Sequence, residues 1–314
     1  MPIMKHTENI AVIDVGSNTL RLLIGNVDKN QVIKIYSERV VTRLGRNLDK
    51  NGFFDSESLK KSINTLRKFK KISEKFNVSS IIAVGTSALR ESKNSKEFCE
   101  IVRKTTGINI HVISGQQEAY YTLCGVMDEK FSSKDSIFIV DIGGGSTEWI
   151  YGIKGKFSMG SLSLGALKLK ENFLFIEPYS QEAIYEAKKF IENEIIKAIP
   201  KVKVDEFIAI GGTASTLAMI NMNLSKYCPE KTHMSKISLN KLKEILKKLI
   251  SISLEDIKKI KGIPYDRADI ICSGLLILEK IVDYLNIKEI TISENGILEG
   301  IMKKSKDFCY NGLL

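Results

Sequence analysis

With 314 residues, 43% hydrophobic and 27% charged, the chain has the composition of a folded protein large enough for two separate cores. Its five cysteines show no CxxC pair, no apolar run nears the roughly 20 residues that span a bilayer, and Met1-Pro2-Ile3-Met4-Lys5-His6 lacks a signal-peptide core, so reduced thiols and a cytoplasmic location away from membranes are expected. The formal net charge of +10 favours polyanionic partners, but no zinc-finger, helix-turn-helix or RNP-type pattern supports specific nucleic-acid recognition.

Three strand-like runs rich in β-branched residues open the chain: Ile10–Val15, Leu20–Val27 and Val32–Val41. An amphipathic helix over Glu57–Phe76 follows, then a strand at Ile81–Val84, a helix at Lys96–Thr105 and a strand at Asn109–Ile113. A helix from Gln116 to Asp128 connects to the second half. That half begins with strands at Ser136–Ile142, Glu148–Ile153 and Lys156–Met159, then turns helical. Apolar residues recur at helical spacing over Gln181–Ile199, Ala214–Met222, Leu239–Ile250 and Ala268–Leu285. A strand at Glu289–Ser293 precedes a short helix. The pattern predicts an α/β protein with helix-covered mixed sheets and a helix-rich second half. Lysines on the helices near 60–71 and 243–248 read as solvated faces.

The segment Asp141-Ile142-Gly143-Gly144-Gly145-Ser146-Thr147-Glu148 carries the most chemistry. It follows the apolar run Ile137–Val140. Glycines let backbone N–H groups wrap a phosphate, and an acid at each end can hold a divalent cation. A plain tight turn is the competing reading of that segment alone. The same pattern occurs earlier, however. Val12–Arg21 overlays Ile139–Glu148 without a gap, putting Asp14 on Asp141, Gly16 on Gly143 and Thr19 on Ser146. A further pair, Gly211-Gly212-Thr213, follows another strand-like run and leads into a helix, a placement that favours an anion. Two similar lobes facing one cleft are predicted, each gripping a phosphate chain with its own turn.

Six segments in order resemble the Ppx/GppA phosphatase family of exopolyphosphatases and guanosine pentaphosphate phosphohydrolases. They are Asp14–Arg21, Gly85–Glu91, Ser114–Ala119, Asp141–Glu148, Gly211–Thr213 and Ser293–Gly300. The resemblance implies two actin-like (ribonuclease H-like) ATPase-superfamily lobes with an interlobe cleft. The lobes would cover residues 1–124, joined by a tail at 303–314, and residues 125–302. It also implies the short two-domain form and a homodimer.

The implied reaction is Mg²⁺-dependent (or other divalent-cation-dependent) hydrolysis of the terminal phosphate of polyphosphate or of guanosine pentaphosphate. The phosphate cradle does not discriminate between these substrates. Glu118 matches the family's catalytic glutamate and would take a proton from the attacking water. Gln117 stands where the family commonly has a second acid. Asp141 and Glu148 are the expected metal ligands, and Asp141 equally fits a water-positioning role. Gly143, Gly144, Gly145, Ser146 and Thr147 would offer N–H and hydroxyl groups to the terminal phosphate, as would Ser17, Asn18 and Thr19, with Asp14 near the metal. Gly211, Gly212 and Thr213 add a third phosphate-binding turn. Arg21 and Arg90 supply positive charge suited to paired phosphate oxygens; the bland alternative for Arg90 is a salt bridge to Glu91.

His233 reads as a loop histidine, and His6 and His111 have no partner at metal spacing. Trp149, Tyr120 and Tyr121 suit packing better than base stacking. Leu298 occupies a place where relatives carry arginine, and Arg267-Ala268-Asp269 reads as an organiser of the second lobe. Two other classes remain open: a small-molecule kinase of the same superfamily, and a non-enzymatic sensor of an alarmone or polyphosphate.

Overall fold

Strand β1 (Ile10–Val15) is buried along its whole length, as its apolar run requires of a strand covered on both faces. It pairs antiparallel with β2 (Thr19–Asp28), which pairs antiparallel with β3 (Gln31–Val41). The computed structural model describes residues 8–127, 136–174 and 176–306. The chain divides into one unit comprising Met1–Val126 with Ile297–Leu314 and another comprising Met127–Gly296.

In the first unit, helices α1 (Leu48–Asn51) and α2 (Ser56–Lys75) follow β3. Next come β4 (Ser80–Gly85), α3 (Ser87–Glu91), α4 (Ser95–Thr106), β5 (Ile110–Val112) and α5 (Gly115–Val126). The sheet order is β3-β2-β1-β4-β5, with β4 parallel to both β1 and β5. Ala11, Ile13, Leu20 and Leu22 pack with Leu66, Phe69 and Phe98 of α2 and α4. Val12, Leu23 and Val84 pack in a different cluster with Tyr121 of α5.

The second unit repeats this plan. It contains β6 (Ser136–Ile142), β7 (Thr147–Ile153), β8 (Lys156–Leu162), α6 (Ala166–Phe173), α7 (Gln181–Ala198) and β9 (Glu206–Ile210). After these come α8 (Gly211–Asn221), α9 (Pro229–Thr232), β10 (Lys236–Ser238), α10 (Leu239–Ile250) and α11 (Leu254–Lys258). The unit closes with α12 (Ile271–Tyr284) and β11 (Glu289–Ser293). Its sheet order is β10-β11-β9-β6-β7-β8. Without β10, this is the first sheet's order strand for strand, with the same parallel and antiparallel pairings. One large core joins Phe138, Val140, Trp149 and Ile292 to Leu217, Leu246, Leu275 and Leu278 on the helices.

The last helix, α13 (Ile297–Lys303), belongs to the first unit. The chain therefore returns there at Ile297, not at 303. Ile297, Leu298, Ile301 and Met302 bury against Val12, Leu23 and Tyr121, each such side chain contributing about 1.5–3 kcal/mol. Leu298 is thus a core residue. The helix expected from Ala214 begins instead at Gly211, and the one expected from Ala268 begins at Ile271 after a 3₁₀ turn at Tyr265–Arg267. Asp128, the expected end of the connecting helix, and positions 307–314 of the tail lie outside the described residues.

Candidate active site

The two repeated turns agree in register to the residue. Asp14 lies opposite Arg21 in the β1–β2 ladder, and Asp141 lies opposite Glu148 in the β6–β7 ladder. Each turn closes in the same way: Gly16 N–H donates to Thr19 O at 3.2 Å, and Gly143 N–H to Ser146 O at 3.0 Å.

Each turn is also braced from behind by the segment that follows its unit's third strand. In the first unit, Thr42 and Arg43 N–H donate to Asn18 O at 3.1 and 2.9 Å, and Gly45 N–H donates to Ser17 O at 2.7 Å. In the second, Ala166 N–H donates to Gly143 O at 2.9 Å, while Leu167 and Lys168 N–H donate to Gly144 O at 2.9 and 3.2 Å. Gly165 has to be glycine for this approach, since a Cβ there would fall 2.3 Å from Gly144 O.

The bracing consumes carbonyls and leaves amides. Among the described residues, Ser17, Asn18, Gly144, Gly145 and Ser146 donate no backbone hydrogen bond. Ser17, Asn18 and Ser146 are nonetheless buried. Buried amides are normally satisfied, and consecutive unclaimed N–H groups form the donor set that binds phosphate oxygens. Thr147 contributes differently from the expectation: its hydroxyl donates to Leu164 O at 2.5 Å and so holds the brace.

The two turns differ in charge. Arg21 Nη2 lies 2.7 Å from Asp14 Oδ2, and its Nε donates to the same oxygen at 2.9 Å, so the guanidinium neutralises an acid of its own unit. Asp14 Oδ1 is buried with no hydrogen-bond partner. In the second turn Glu148, 2% exposed, stands where Arg21 does and accepts from Ser161 Oγ at 2.7 Å. Like charges facing each other across a ladder are destabilising. A cation relieves that cost. Two carboxylates beside phosphate-binding amides suit Mg²⁺, which takes one or two protein carboxylates together with phosphate oxygens and retained waters. No group of three or more His, Cys, Asp or Glu that could hold a metal ion occurs among the described residues.

Glu118 sits in the first turn of α5 and is held in place. Arg90 Nη1 donates to Glu118 Oε2 at 2.7 Å and to Ile113 O at 3.0 Å. The Arg90 backbone is itself fixed near the end of β1: Arg90 N–H donates to Thr86 O at 3.1 Å, and Thr86 N–H to Val15 O at 3.3 Å. Glu91 accepts from Ser87 Oγ at 2.8 Å, and Arg90 turns to Glu118. Gln117 forms a capping box with Ser114, each residue's backbone N–H donating to the other's side chain at 2.9 and 3.1 Å. The amide therefore secures the start of α5.

The third glycine turn abuts Asp141 of the second turn's acid pair. Gly211 has φ +77°, and a Cβ there would lie 2.4 Å from Asp141 Oδ1. Thr213 does not share this position; its side chain packs against Gly274 of α12. Two contributors were undervalued in the sequence. The Arg267 guanidinium lies over Gly212, where a Cβ would come within 1.8 Å of Nη1. Glu294, after β11, accepts hydroxyl hydrogen bonds from Ser215 at 2.8 Å, Tyr227 at 2.6 Å and Thr232 at 2.5 Å. Its backbone N–H donates to His233 Nδ1 at 3.1 Å, so His233 fastens this hub. The sequence marks Arg267 as an organiser of this lobe and Glu294 as part of the Ser293–Gly300 segment, but it gives neither the contact of Arg267 with Gly212 nor the hydroxyls that Glu294 gathers. Among the free thiols, Cys272 is fully buried and pushed up to about 12 by desolvation, which removes it as a nucleophile.

A duplicated α/β fold with the same glycine-containing hairpin turn in each unit places the chain among hydrolases of phosphoric anhydrides, the class to which the matching family points. The chain belongs to the Ppx/GppA phosphatase family, matching it over residues 23–307. It is 35% identical over 317 residues to the bifunctional 3-dehydroquinate synthase/phosphatase of Fusobacterium nucleatum, aligning 94% of this chain with 47% of that protein. It is 25% identical over 308 residues to exopolyphosphatase 2 of Mycobacterium tuberculosis, covering 93% of this chain and 97% of the relative. An exopolyphosphatase structure from Cytophaga hutchinsonii superposes with a TM-score of 0.87 at 27% identity, covering 96% and 98% of the two chains. The Aquifex aeolicus PPX-GPPA enzyme gives 0.79 at 29% identity, covering 95% and 99%. No helix among the described residues is long and apolar enough to cross a membrane.

Proposed function

We propose that the protein is an exopolyphosphatase that hydrolyses the terminal phosphate of inorganic polyphosphate. The observation that carries this reading is the repeated braced turn, which presents unclaimed amides in each unit. Within each unit these amides and the turn's hydroxyl, Ser17 in one and Ser146 in the other, suit phosphate oxygens. Asp141 and Glu148 hold Mg²⁺, which when bound neutralises phosphate charge. Glu118, oriented by Arg90, accepts a proton from water as the water oxygen bonds to the terminal phosphorus. The terminal P–O anhydride bond breaks, its oxygen stays with the shortened chain, and orthophosphate leaves. The basic charge of +10 favours a long polyanion.

Guanosine pentaphosphate presents the same triphosphate-like end and is the second reading, in keeping with the family's two activities. Orthophosphate release from polyphosphate, guanosine pentaphosphate and ATP, by the intact protein and Glu118→Gln, separates the possibilities. Release from polyphosphate should be fastest, should stop on chelation of divalent cations, and should fall about 10²–10⁴-fold in the variant. Faster release from guanosine pentaphosphate selects the second reading. Binding without turnover in both proteins selects a sensor, and transfer from ATP to an acceptor selects a kinase.

A further inference from the structure

Gly300 stands in the middle of α13, where glycine is among the poorest of helix formers, and it is buried. A Cβ at that position would lie 1.7 Å from Tyr121 O, 2.6 Å from the carbonyl carbon of the same residue and 2.9 Å from Gly125 N. All three are backbone atoms of α5, so no side chain can turn aside to make room. Tyr121 O and Gly125 N are also the kind of pair that an α-helix joins by its i to i+4 hydrogen bond. Helix α13 therefore lies against the backbone of α5 itself, and only a residue without Cβ permits that approach.

The contact falls one helical turn from Glu118, which precedes Tyr121 by three residues. Further along α5, Lys303 Nζ donates to Cys124 O at 3.0 Å. Helix α13 is in turn fixed on the sheet. Ile297, Ile301 and Met302 bury among Val12 and Leu23, and Glu299 pairs with Lys34 of β3 at 2.6 Å. A side chain at position 300 would have to push one of the two helices. The freer one is α5: α13 is buried from Ile297 to Met302, whereas Gln116 and Tyr120 at the start of α5 are exposed. Arg90, which meets Glu118 at 2.7 Å, is anchored outside α5, on Ile113 O and through Thr86 on β1. Movement of α5 would separate the carboxylate from its guanidinium.

We infer that Gly300 is a positioning residue for the hydrolysis: the backbone contact it allows between α13 and α5 sets where the Glu118 carboxylate stands. The inference rests on the reading of Glu118 as the group that takes the proton from water. Displacing a reacting group by about 1 Å costs up to about 10²-fold in rate. The phosphate turns lie on other elements, so substrate binding is spared and the loss falls on kcat rather than KM.

The test is a double-mutant cycle on the full chain. Orthophosphate release from polyphosphate is measured for the unaltered protein, Gly300→Ala, Glu118→Gln and the double variant, with urea unfolding on each. Gly300→Ala should lower kcat about 10- to 10²-fold with KM within about twofold. In the Glu118→Gln background the same substitution should change the residual rate by less than about twofold, because there is no carboxylate left to misplace. Lys303→Met, which removes only the contact with Cys124 O, should lower kcat a few-fold, again only where Glu118 is present; it serves should Gly300→Ala fold poorly. A fall by the same factor in both backgrounds is the mark of general structural damage and overturns the inference, as does a Gly300→Ala enzyme with unchanged kcat beside an inactive Glu118→Gln, which leaves the catalytic reading of Glu118 standing. Full activity in Glu118→Gln, or no release from polyphosphate by the unaltered protein, would overturn both.

Discussion

The β1–β2 and β6–β7 turns share register, closing hydrogen bond and bracing, and differ at one decisive position. Opposite its aspartate the first turn has Arg21; the second has Glu148. The first turn therefore balances its own charge with an ion pair, while the second places two acids face to face. The same turn occurs twice with opposite charge facing its aspartate: a base in the first, where it forms an ion pair, and an acid in the second, where a cation would be suited. The braces differ too. The segment behind the first turn is tied onward by Arg46, whose Nη2 reaches Asp55 at 3.0 Å and Glu57 at 2.7 Å at the start of α2.

Removing the balancing base should break the first turn most. Arg21→Ala leaves the Asp14 carboxylate, 4% exposed, without its guanidinium. A loss of about 2 kcal/mol is expected, below the 3–5 kcal/mol of a fully buried pair because Arg21 is partly exposed. Urea unfolding measures it, and a midpoint unchanged from the unaltered protein would show that the pair does not support the turn. A smaller effect sharpens the contrast between the braces. Asp55 caps α2 through Ser58 N–H at 2.9 Å. Burial pulls its carboxyl up, but Arg46 and the Ser58 N–H outweigh this and hold it below the ordinary 3.8. Asp55→Ala should cost about 1 kcal/mol. Because the folded-state value is depressed, that stabilisation is present above the ordinary carboxylate range and disappears as pH falls through the lower folded value. The gap between Asp55→Ala and the unaltered protein should therefore close in acid, and a gap constant from pH 7 to pH 2 would contradict the assignment.

Much of this was legible in the sequence because short apolar, β-branched runs and glycine doublets are local signals. β1, β6 and β11 begin and end where Ile10–Val15, Ser136–Ile142 and Glu289–Ser293 do. The gapless overlay of Val12–Arg21 on Ile139–Glu148 became an identical ladder register. What escaped depends on contacts distant in sequence. Short elements such as α3, α9 and β10 carry too few residues for periodicity to register. The Ser87–Glu91 helix mattered most, since it turns Arg90 towards Glu118, 28 residues away. Arg267 reaches Gly212 from 55 positions along the chain, and Glu294 gathers hydroxyls from three separate segments. The braces at 42–45 and 163–168 were invisible because their work is done by backbone amides, which every residue but proline supplies.

The central claim is that the second turn's paired acids serve a cation at the expense of stability, whereas the first turn's ion pair serves the fold. Glu148→Gln tests it most directly, with urea unfolding and Mg²⁺-dependent phosphate release measured on the same preparation. The account predicts a stability equal to or slightly above that of the unaltered protein, because a like-charge pair is relieved, together with a fall in turnover of about 10²-fold or more. A variant destabilised as much as Arg21→Ala, yet releasing phosphate at the original rate and Mg²⁺ dependence, would contradict it.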